Sequence, residues 1–239
     1  MTVAAKEVNE PDAVRARYAR RHDDNWSYSP LNPSMLLATQ ERHRAIAELF
    51  VSLGWLDLAG LRLLEVGCGT GCNLLEFIRF GFSPEHLQGI ELLSASVERA
   101  RRELPTSVRI MLGDAAGTAG SVVPEASQDV VYQSTVFSSL LDNEFQQRLA
   151  DQLWRWVRPG GGVLWYDFTV NNPRNPDVRG VPVARIRQLF PGGRIRVRRL
   201  TLAPPLARAV TRFHPKLYSV FNACPWLRTH VLVWIEKPR

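Results

Sequence analysis

The chain has 239 residues, 45% of them hydrophobic, and a formal net charge of +7. This length suits one sizeable domain with its own core, and the seven tryptophans argue against disorder. No stretch approaches the roughly 20 apolar residues that span a bilayer, and the first ten residues lack a signal pattern, so we expect a cytoplasmic protein. Because the three cysteines (Cys68, Cys72 and Cys224) have no metal-type spacing, we expect neither disulfides nor a bound metal.

Basic residues are concentrated in the C-terminal part of the chain. Residues 174–239 contain fourteen Lys and Arg against Asp177 and Glu236, a local charge of +12 that leaves −5 on residues 1–173. Such asymmetry can mark contact with a polyanion, a membrane surface or an anionic substrate. However, 27 of the 30 basic residues are arginine, and a solvated basic face needs no partner. We favour the solvated face, keep peripheral membrane contact through this region open, and do not expect a nucleic-acid partner.

Strand and helix patterns alternate after a polar, arginine-rich stretch at residues 11–35. A helix is predicted over residues 34–53, with Gly54 suited to its C-terminal end. Strands are then predicted over residues 61–66, 87–92, 108–112, 129–133 and 163–168. Helices are predicted over residues 73–80, over a segment that Ser94 or Ser96 caps and that runs to residue 103, and from a capping-box-like start at Asn143 and Gln146 to residue 157. Residues 158–162 then turn into the fifth strand. This alternation predicts a parallel sheet with helices on both faces.

The C-terminal tail does not follow this alternation of strands and helices. Residues 195–202 and 230–236 are predicted strands, and the segment 203–228 between them is broken by Pro204, Pro205, Pro215 and Pro225. This segment is expected to be a lid, a dimer contact, a surface-binding element or a cover for the sheet edge.

A glycine-rich turn follows the first strand, in the sequence Glu65-Val66-Gly67-Cys68-Gly69-Thr70-Gly71. Alternating glycines let the backbone turn sharply and let a ligand approach closely. In doubly wound sheets the ligand lies beyond the carboxyl ends of the strands. There the second strand ends at Glu91, which can accept from ribose hydroxyls, and the third ends in Gly113-Asp114-Ala115, whose carboxylate can meet an exocyclic amine.

Two nucleotide-binding classes compete for this turn. A dinucleotide oxidoreductase places its glycines as G-x-G-x-x-G. Here the third glycine, Gly71, comes one place early, and Cys72 occupies the position of the last glycine in that pattern. The oxidoreductase interpretation is therefore disfavoured.

The turn resembles the first motif of class I S-adenosylmethionine-dependent methyltransferases. Glu91, Gly113-Asp114-Ala115, the strand 129–135 and Arg158-Pro159-Gly160-Gly161-Gly162 match later landmarks of that family in order and spacing, so the resemblance covers about residues 55–170. It implies an α/β, Rossmann-like, doubly wound fold: a mostly parallel seven-stranded sheet with an antiparallel C-terminal hairpin, here with an N-terminal helical cap. We expect residues 1–54 to form the cap and residues 55–239 the S-adenosylmethionine-binding domain, with 203–228 as its inserted lid or interaction segment.

The resemblance also implies residue roles around S-adenosylmethionine and its product S-adenosylhomocysteine. Gly67, Gly69 and Gly71 would hold the methionine portion, with Glu65 near its amino group. Glu91 would bind the ribose, Asp114 the adenine amine, with Ala115 beside the ring. Gln133 would line the passage of the methyl group. Cys68 and Leu92 are counted with these cofactor-binding residues. Alternatively, Glu65 and Asp114 cap local structure and Gln133 is a polar strand end.

Acceptor and catalytic residues are predicted from the stretch after the fifth strand and from the N-terminal cap. Asp167 is the candidate general base, or it holds one in place, and Asn171, Asn172 and Arg174 would orient hydroxyls or an anionic group. A solvated Asn-Pro turn is the alternative. From the cap, Tyr28, Asn32 and His22 could face the acceptor, and Gln40 and Arg42 could reach the cofactor carboxylate.

The predicted reaction is O-methylation of a hydroxyl on a sugar, a glycan or a small metabolite, of the kind carried out by bacterial tailoring enzymes. The Asn/Asp-Pro-Pro motif of adenine methyltransferases is absent, since Gln133-Ser134-Thr135-Val136-Phe137 stands in its place. N- or carboxyl-methylation of a small molecule, and nucleic-acid methylation through the basic tail, stay open. A module that binds without turnover, and last a nicotinamide oxidoreductase, complete the alternatives.

Overall fold

The computed structural model describes residues 9–20, 26, 29–117, 119–173 and 175–239. The helices in these ranges are α1 Glu10–Ala19, α2 Pro33–Ser52, α3 Cys72–Phe80, α4 Ser94–Glu103, α5 Asn143–Trp156, α6 Val183–Leu189, α7 Pro204–Phe213 and α8 Lys216–Asn222. The strands are β1 Leu63–Val66, β2 Leu87–Glu91, β3 Arg109–Leu112, β4 Gln128–Ser134, β5 Val157–Phe168, β6 Arg194–Leu202 and β7 Arg228–Glu236.

The strands form one seven-stranded sheet in the order β3-β2-β1-β4-β5-β7-β6. Strands β1 to β5 are parallel, and β7 runs antiparallel to both β5 and β6. The predicted Rossmann-like α/β fold is thereby confirmed. The strand order reverses between β1 and β4, and ligands of such sheets bind in the crevice beyond that switch point.

Helices cover both faces of the sheet because its central strands are buried on both sides. All four residues of β1 are buried. One face packs α5, α6 and α1 around Trp156 and Trp165. The other packs α2, α3 and α4 around Phe77, Tyr132 and Trp234. A smaller third cluster joins α7 and α8 to the end of β6 and to the first half of α2.

Strand β5 starts earlier than the sequence pattern predicts. Residues 158–162, which were predicted to turn, lie within the strand Val157–Phe168. Its pairing with β4 shifts register, since Gln128 lies opposite Val157 and Val130 opposite Gly162. The Pro-Gly-Gly residues therefore form a bulge, with Gly160 at φ 79°.

Two predicted helix caps are wrong. Helix α4 is preceded by Leu93, and neither Ser94 nor Ser96 caps it, because both lie inside the helix. Helix α5 is capped by Asp142 rather than Asn143: the Asp142 carboxylate accepts from the backbone N–H groups of Glu144 (2.7 Å) and Phe145 (3.1 Å).

The first helix, α1, has no counterpart in the predicted elements. Its start is capped by Asn9, whose side chain accepts from the N–H of Asp12 at 3.0 Å. Across the described ranges, no helix is both long and apolar enough to cross a membrane.

Candidate functional site

A cavity of about 260 Å³ lies at the carboxyl ends of the central strands. The turns after β1, β2, β3 and β4 form its floor and walls, and Pro11, Val14 and Tyr18 of α1 lie over it. Among its lining residues are Gly67, Gly69, Glu91, Leu92, Asp114 and Ala115, which the sequence predicts as cofactor ligands. The structure thus brings most of the predicted cofactor-binding residues to one place.

The three glycines of the turn after β1 all have positive φ angles, of 67°, 52° and 87° for Gly67, Gly69 and Gly71. The N–H of Gly67 donates to the carbonyl of Ile90 at 2.8 Å, which ties the turn to β2. A Cβ atom on Gly69 would meet no atom within 4 Å, so this backbone stands open to the cavity. That opening fits a cofactor that lies directly on the turn.

Glu91 organises the cavity wall with its carboxylate. One oxygen accepts from the N–H of Gly69 at 2.9 Å and the other from the N–H of Leu93 at 2.8 Å. An ionised carboxylate has about four acceptor positions, so it retains capacity for ligand hydroxyls. Asp114 is placed similarly: one oxygen accepts from the N–H of Ala116 at 2.9 Å, while the residue lines the cavity.

Glu65 lies behind the turn, wholly buried and away from the cavity lining. Its Oε1 accepts from the side-chain amide of Asn73 at 2.7 Å, and its Oε2 has no hydrogen-bond partner. Burial raises the pKa of this carboxyl to about 8, although Asn73 and Arg42 oppose the rise. A buried oxygen without a partner fits the cationic amino group predicted beside it.

Three other predicted cofactor residues do not line the cavity. The Cys68 thiol packs into the core beside β2, and burial raises the pKa of this thiol. Gly71 faces Leu104. Gln133 is buried, and its Oε1 accepts from the N–H of Val136 at 3.0 Å. These residues shape the turns after β1 and β4.

Asp167, the predicted general base, is wholly buried and does not line the cavity. Its oxygens accept from the N–H groups of Ser138 (3.0 Å) and Phe168 (2.9 Å). Burial raises the pKa of this carboxyl to about 7. These contacts hold the 137–139 turn, and Asp167 does not line the cavity.

The predicted acceptor residues that the structure describes do not lie at the cavity. Asn32 caps α2, with its oxygen accepting from the N–H of Ser34 at 3.0 Å and its amide donating to the carbonyl of Trp26. Asn171 and Asn172 are exposed, and the Asn171 side chain accepts from the N–H of Gly180. The predictions for Tyr28, His22 and Arg174 lie outside the described residues.

A polar group at the carboxyl ends of β4 and β5, which we call the Arg42 cluster, comprises Ser134, Arg42, Tyr166, Thr201 and His230. Ser134 lines the cavity and accepts from Arg42 at 3.2 Å. The Arg42 guanidinium lies 5.0 Å from the centre of the Tyr166 ring, on which His230 stacks at 5.2 Å. The Tyr166 hydroxyl is 2.9 Å from the hydroxyl of Thr201.

Sequence reasoning missed Tyr166 and His230. Successive residues of a strand point to opposite faces, so Tyr166 faces α2 while Asp167 faces the other side. The alternating direction of side chains along a strand is the signal that would have placed Tyr166 and Asp167 on opposite faces. The histidine could not be found in the same way, because it comes to β5 only through the pairing of Phe168 with His230.

Helix α1 is fixed over the cavity by a buried ion pair. Arg17 donates to Glu10 Oε1 at 2.5 Å and to the carbonyl of Ser139 at 3.0 Å. The same Glu10 oxygen accepts from the N–H of Leu141 at 2.7 Å. The helix therefore joins the turn after β4, and the two close the cavity together.

Residues 63–161 match the model of a protein family described as a methyltransferase domain. Over 111 residues the chain is 27% identical to the tRNA N(3)-methylcytidine methyltransferase Mettl2 of Drosophila melanogaster. That match covers 44% of this chain and 34% of the relative, so the chain spans about a third of the relative's length.

Solved structures with the same fold cover most of the chain. The magnesium protoporphyrin IX methyltransferase of Synechocystis PCC 6803 with bound S-adenosylmethionine superposes with a TM-score of 0.64 at 17% identity, over 99% of this chain and 100% of that one. The [4+2]-cyclase SpnF superposes with a TM-score of 0.59 at 17% identity, over 83% and 82%. At such identities the likeness shows the fold, and the two named activities differ.

Proposed function

Since the chain is a class I S-adenosylmethionine-dependent methyltransferase, we propose that it methylates a hydroxyl of a sugar, a glycan or another small metabolite. The bound cofactor supplies an electrophilic sulfonium methyl group. The chain must then position the acceptor, whose hydroxyl loses its proton in the reaction. The observation that carries this proposal is the Arg42 cluster, which adjoins the cavity through Ser134.

The protonation states of the cluster suit a hydroxyl acceptor. Burial, with a contribution from Arg42, lowers the pKa of His230 to about 4, so its imidazole is neutral at physiological pH. Burial raises the pKa of Tyr166 to about 12, so its phenol stays protonated and can donate. A base of so low a pKa takes up little of an alcohol's proton, so in the proposed reaction His230 positions the acceptor through its stack on Tyr166, and the hydroxyl proton leaves to solvent as the methyl group is transferred.

The test is methyl transfer from cofactor with a labelled methyl group to a panel of sugars, phenols, amines and carboxylic acids. His230→Gln is expected to lower kcat by roughly tenfold, since it removes the ring that stacks on Tyr166 and helps to position the acceptor. Cofactor affinity, measured by calorimetry, should stay unchanged. His86→Gln is the matched control, because His86 bonds the carbonyl of Ala59 far from the cluster. Product found only on nitrogen or carboxyl groups, or an unaffected kcat in His230→Gln, would contradict the proposal.

RNA methylation is the second candidate. It is favoured by the similarity to a tRNA methyltransferase and by the charge of +12 on residues 174–239. A nucleotide held mainly through its phosphates does not depend on the ring stacked on Tyr166, so in this case His230→Gln should retain its kcat. Label incorporated into total RNA, with none in the small-molecule panel, would replace the first proposal by this one.

A further inference from the structure

The surface formed by α7, α8 and the turn that follows exposes large apolar side chains. Phe213 and Trp226 are 86% and 89% exposed, and Val220 is 65% exposed. The inner side of the two helices is occupied, with Ala207, Val210 and Tyr218 packed on the end of β6. Exposed apolar groups of this size gathered in one short segment indicate a binding surface.

The charges on this surface have one sign. Residues 204–228 contain no Asp or Glu, and Arg208, Arg212 and Lys216 are exposed. The acid beneath them, Glu41 of α2, is engaged: its carboxylate accepts from the Tyr218 hydroxyl at 2.9 Å and from the Asn222 amide at 2.8 Å. A partner for this surface must therefore be both apolar and anionic.

The α7–α8 segment begins and ends on the side of the sheet where the carboxyl ends of the parallel strands and the cavity lie. Leu202, the last residue of β6, pairs with Arg228, the first residue of β7. Two residues on, His230 pairs with Phe168, the carboxyl end of β5. The α7–α8 segment thus extends from the same end of the sheet as the turns that line the cavity.

We propose that the α7–α8 surface docks on an anionic membrane. Phe213 and Trp226 would enter the interface between headgroups and acyl chains, while Arg208, Arg212 and Lys216 would meet the headgroups. A second copy of the chain fits less well, since a self-complementary contact would bring two basic surfaces together. RNA fits less well because the exposed apolar side chains, Val220 among them, make no hydrogen bond to a base edge, and three cations are few for a phosphate backbone.

The experiment is sedimentation of the full chain with vesicles of phosphatidylcholine alone or mixed with an equal share of phosphatidylglycerol. Binding is expected to the mixed vesicles only, and to weaken with added salt. The double variants Phe213→Ser/Trp226→Ser and Arg212→Gln/Lys216→Gln should each weaken binding by roughly tenfold or more. Leu56→Ser and Arg102→Gln are matched controls: Leu56 is 83% exposed outside the surface, and Arg102 lies on α4, beside the opposite edge of the sheet.

Three results would overturn the proposal. The first is no binding to the mixed vesicles at low salt. The second is a wild-type dimer by ultracentrifugation that becomes monomeric in Phe213→Ser/Trp226→Ser, because the surface would then cover a second copy. The third is RNA binding that the same variants abolish without any vesicle binding. The assay needs no methyl acceptor, so its outcome is independent of the proposed O-methylation.

Discussion

The three glycines of the turn after β1 serve different physical needs. A Cβ atom would lie 2.5 Å from Val136 Cγ2 at Gly67 and 2.6 Å from Leu104 Cδ1 at Gly71, so these two permit close packing. At Gly69 the same atom would meet nothing, and the residue lines the cavity. Packing of the protein core therefore does not require a glycine at Gly69, whose open side faces the space for a ligand.

Gly69→Ala is expected to weaken cofactor binding, because the new methyl group occupies the space that the cofactor needs. A rise of roughly tenfold or more in the dissociation constant is expected from overpacking of this kind. Calorimetric titration with S-adenosylmethionine measures it. Gly54→Ala is the matched control, since Gly54 also has a positive φ (77°) and open space but lies away from the cavity.

Both variants should lose about 1–2 kcal/mol of stability from the left-handed backbone, which isolates the effect on binding. Equal affinity for S-adenosylmethionine in Gly69→Ala and Gly54→Ala would show that the turn after β1 does not bind the cofactor.

At the residue scale, more of the predicted cofactor residues than of the predicted acceptor residues lie at the cavity. Gly69, Glu91 and Asp114 follow directly from local turns at strand ends, and they reach the cavity. The proposed acceptor side depends on pairing between distant segments: His230 reaches Tyr166 only through the β5–β7 register. Local patterns contain no information on that register.

At the scale of elements, α1 is held by tertiary contacts more than by its own sequence. It has no apolar stripe, and its buried positions are Pro11, Val14 and Arg17. This explains why hydrophobic periodicity did not predict it, whereas the strands, buried on both faces, read as apolar runs. An element of low intrinsic stability over a cavity is suited to open and close.

Arg17→Ala is expected to release α1 from the turn after β4. The change leaves Glu10 buried without its partner, and losing one member of a buried pair costs about 3–5 kcal/mol, here confined to local opening. Faster hydrogen exchange of residues 10–19 and weaker cofactor binding should follow, measured by mass spectrometry and calorimetry. Arg15→Ala is the control, because Arg15 pairs with Asp12 on the exposed side of the same helix. If Arg15→Ala and Arg17→Ala exchange alike, the ion pair does not hold the helix.

At the scale of the whole molecule, two buried carboxyls make stability depend on pH in an unusual direction. Burial raises the pKa of Glu65 to about 8 and that of Asp167 to about 7. The folded chain then binds more protons than the unfolded chain above the ordinary carboxyl pKa, so stability falls as pH rises towards 8. The pKa of His230 is lowered to about 4, so this residue makes stability rise with pH, but only below the ordinary histidine pKa of about 6.5.

The window between pH 7 and 8 therefore reports mainly on Glu65. Without cofactor, the free energy of unfolding in urea should fall there with a slope approaching that of one proton, about 1.4 kcal/mol per pH unit. Glu65→Gln should flatten this slope, because the amide does not titrate, while Glu85→Gln, an exposed control, should keep it. Bound S-adenosylmethionine should remove the slope between pH 7 and 8, because a cationic amino group beside Glu65 lowers the pKa of that carboxyl. A wild-type slope of zero without cofactor would contradict the assignment of a protonated Glu65 in the folded chain.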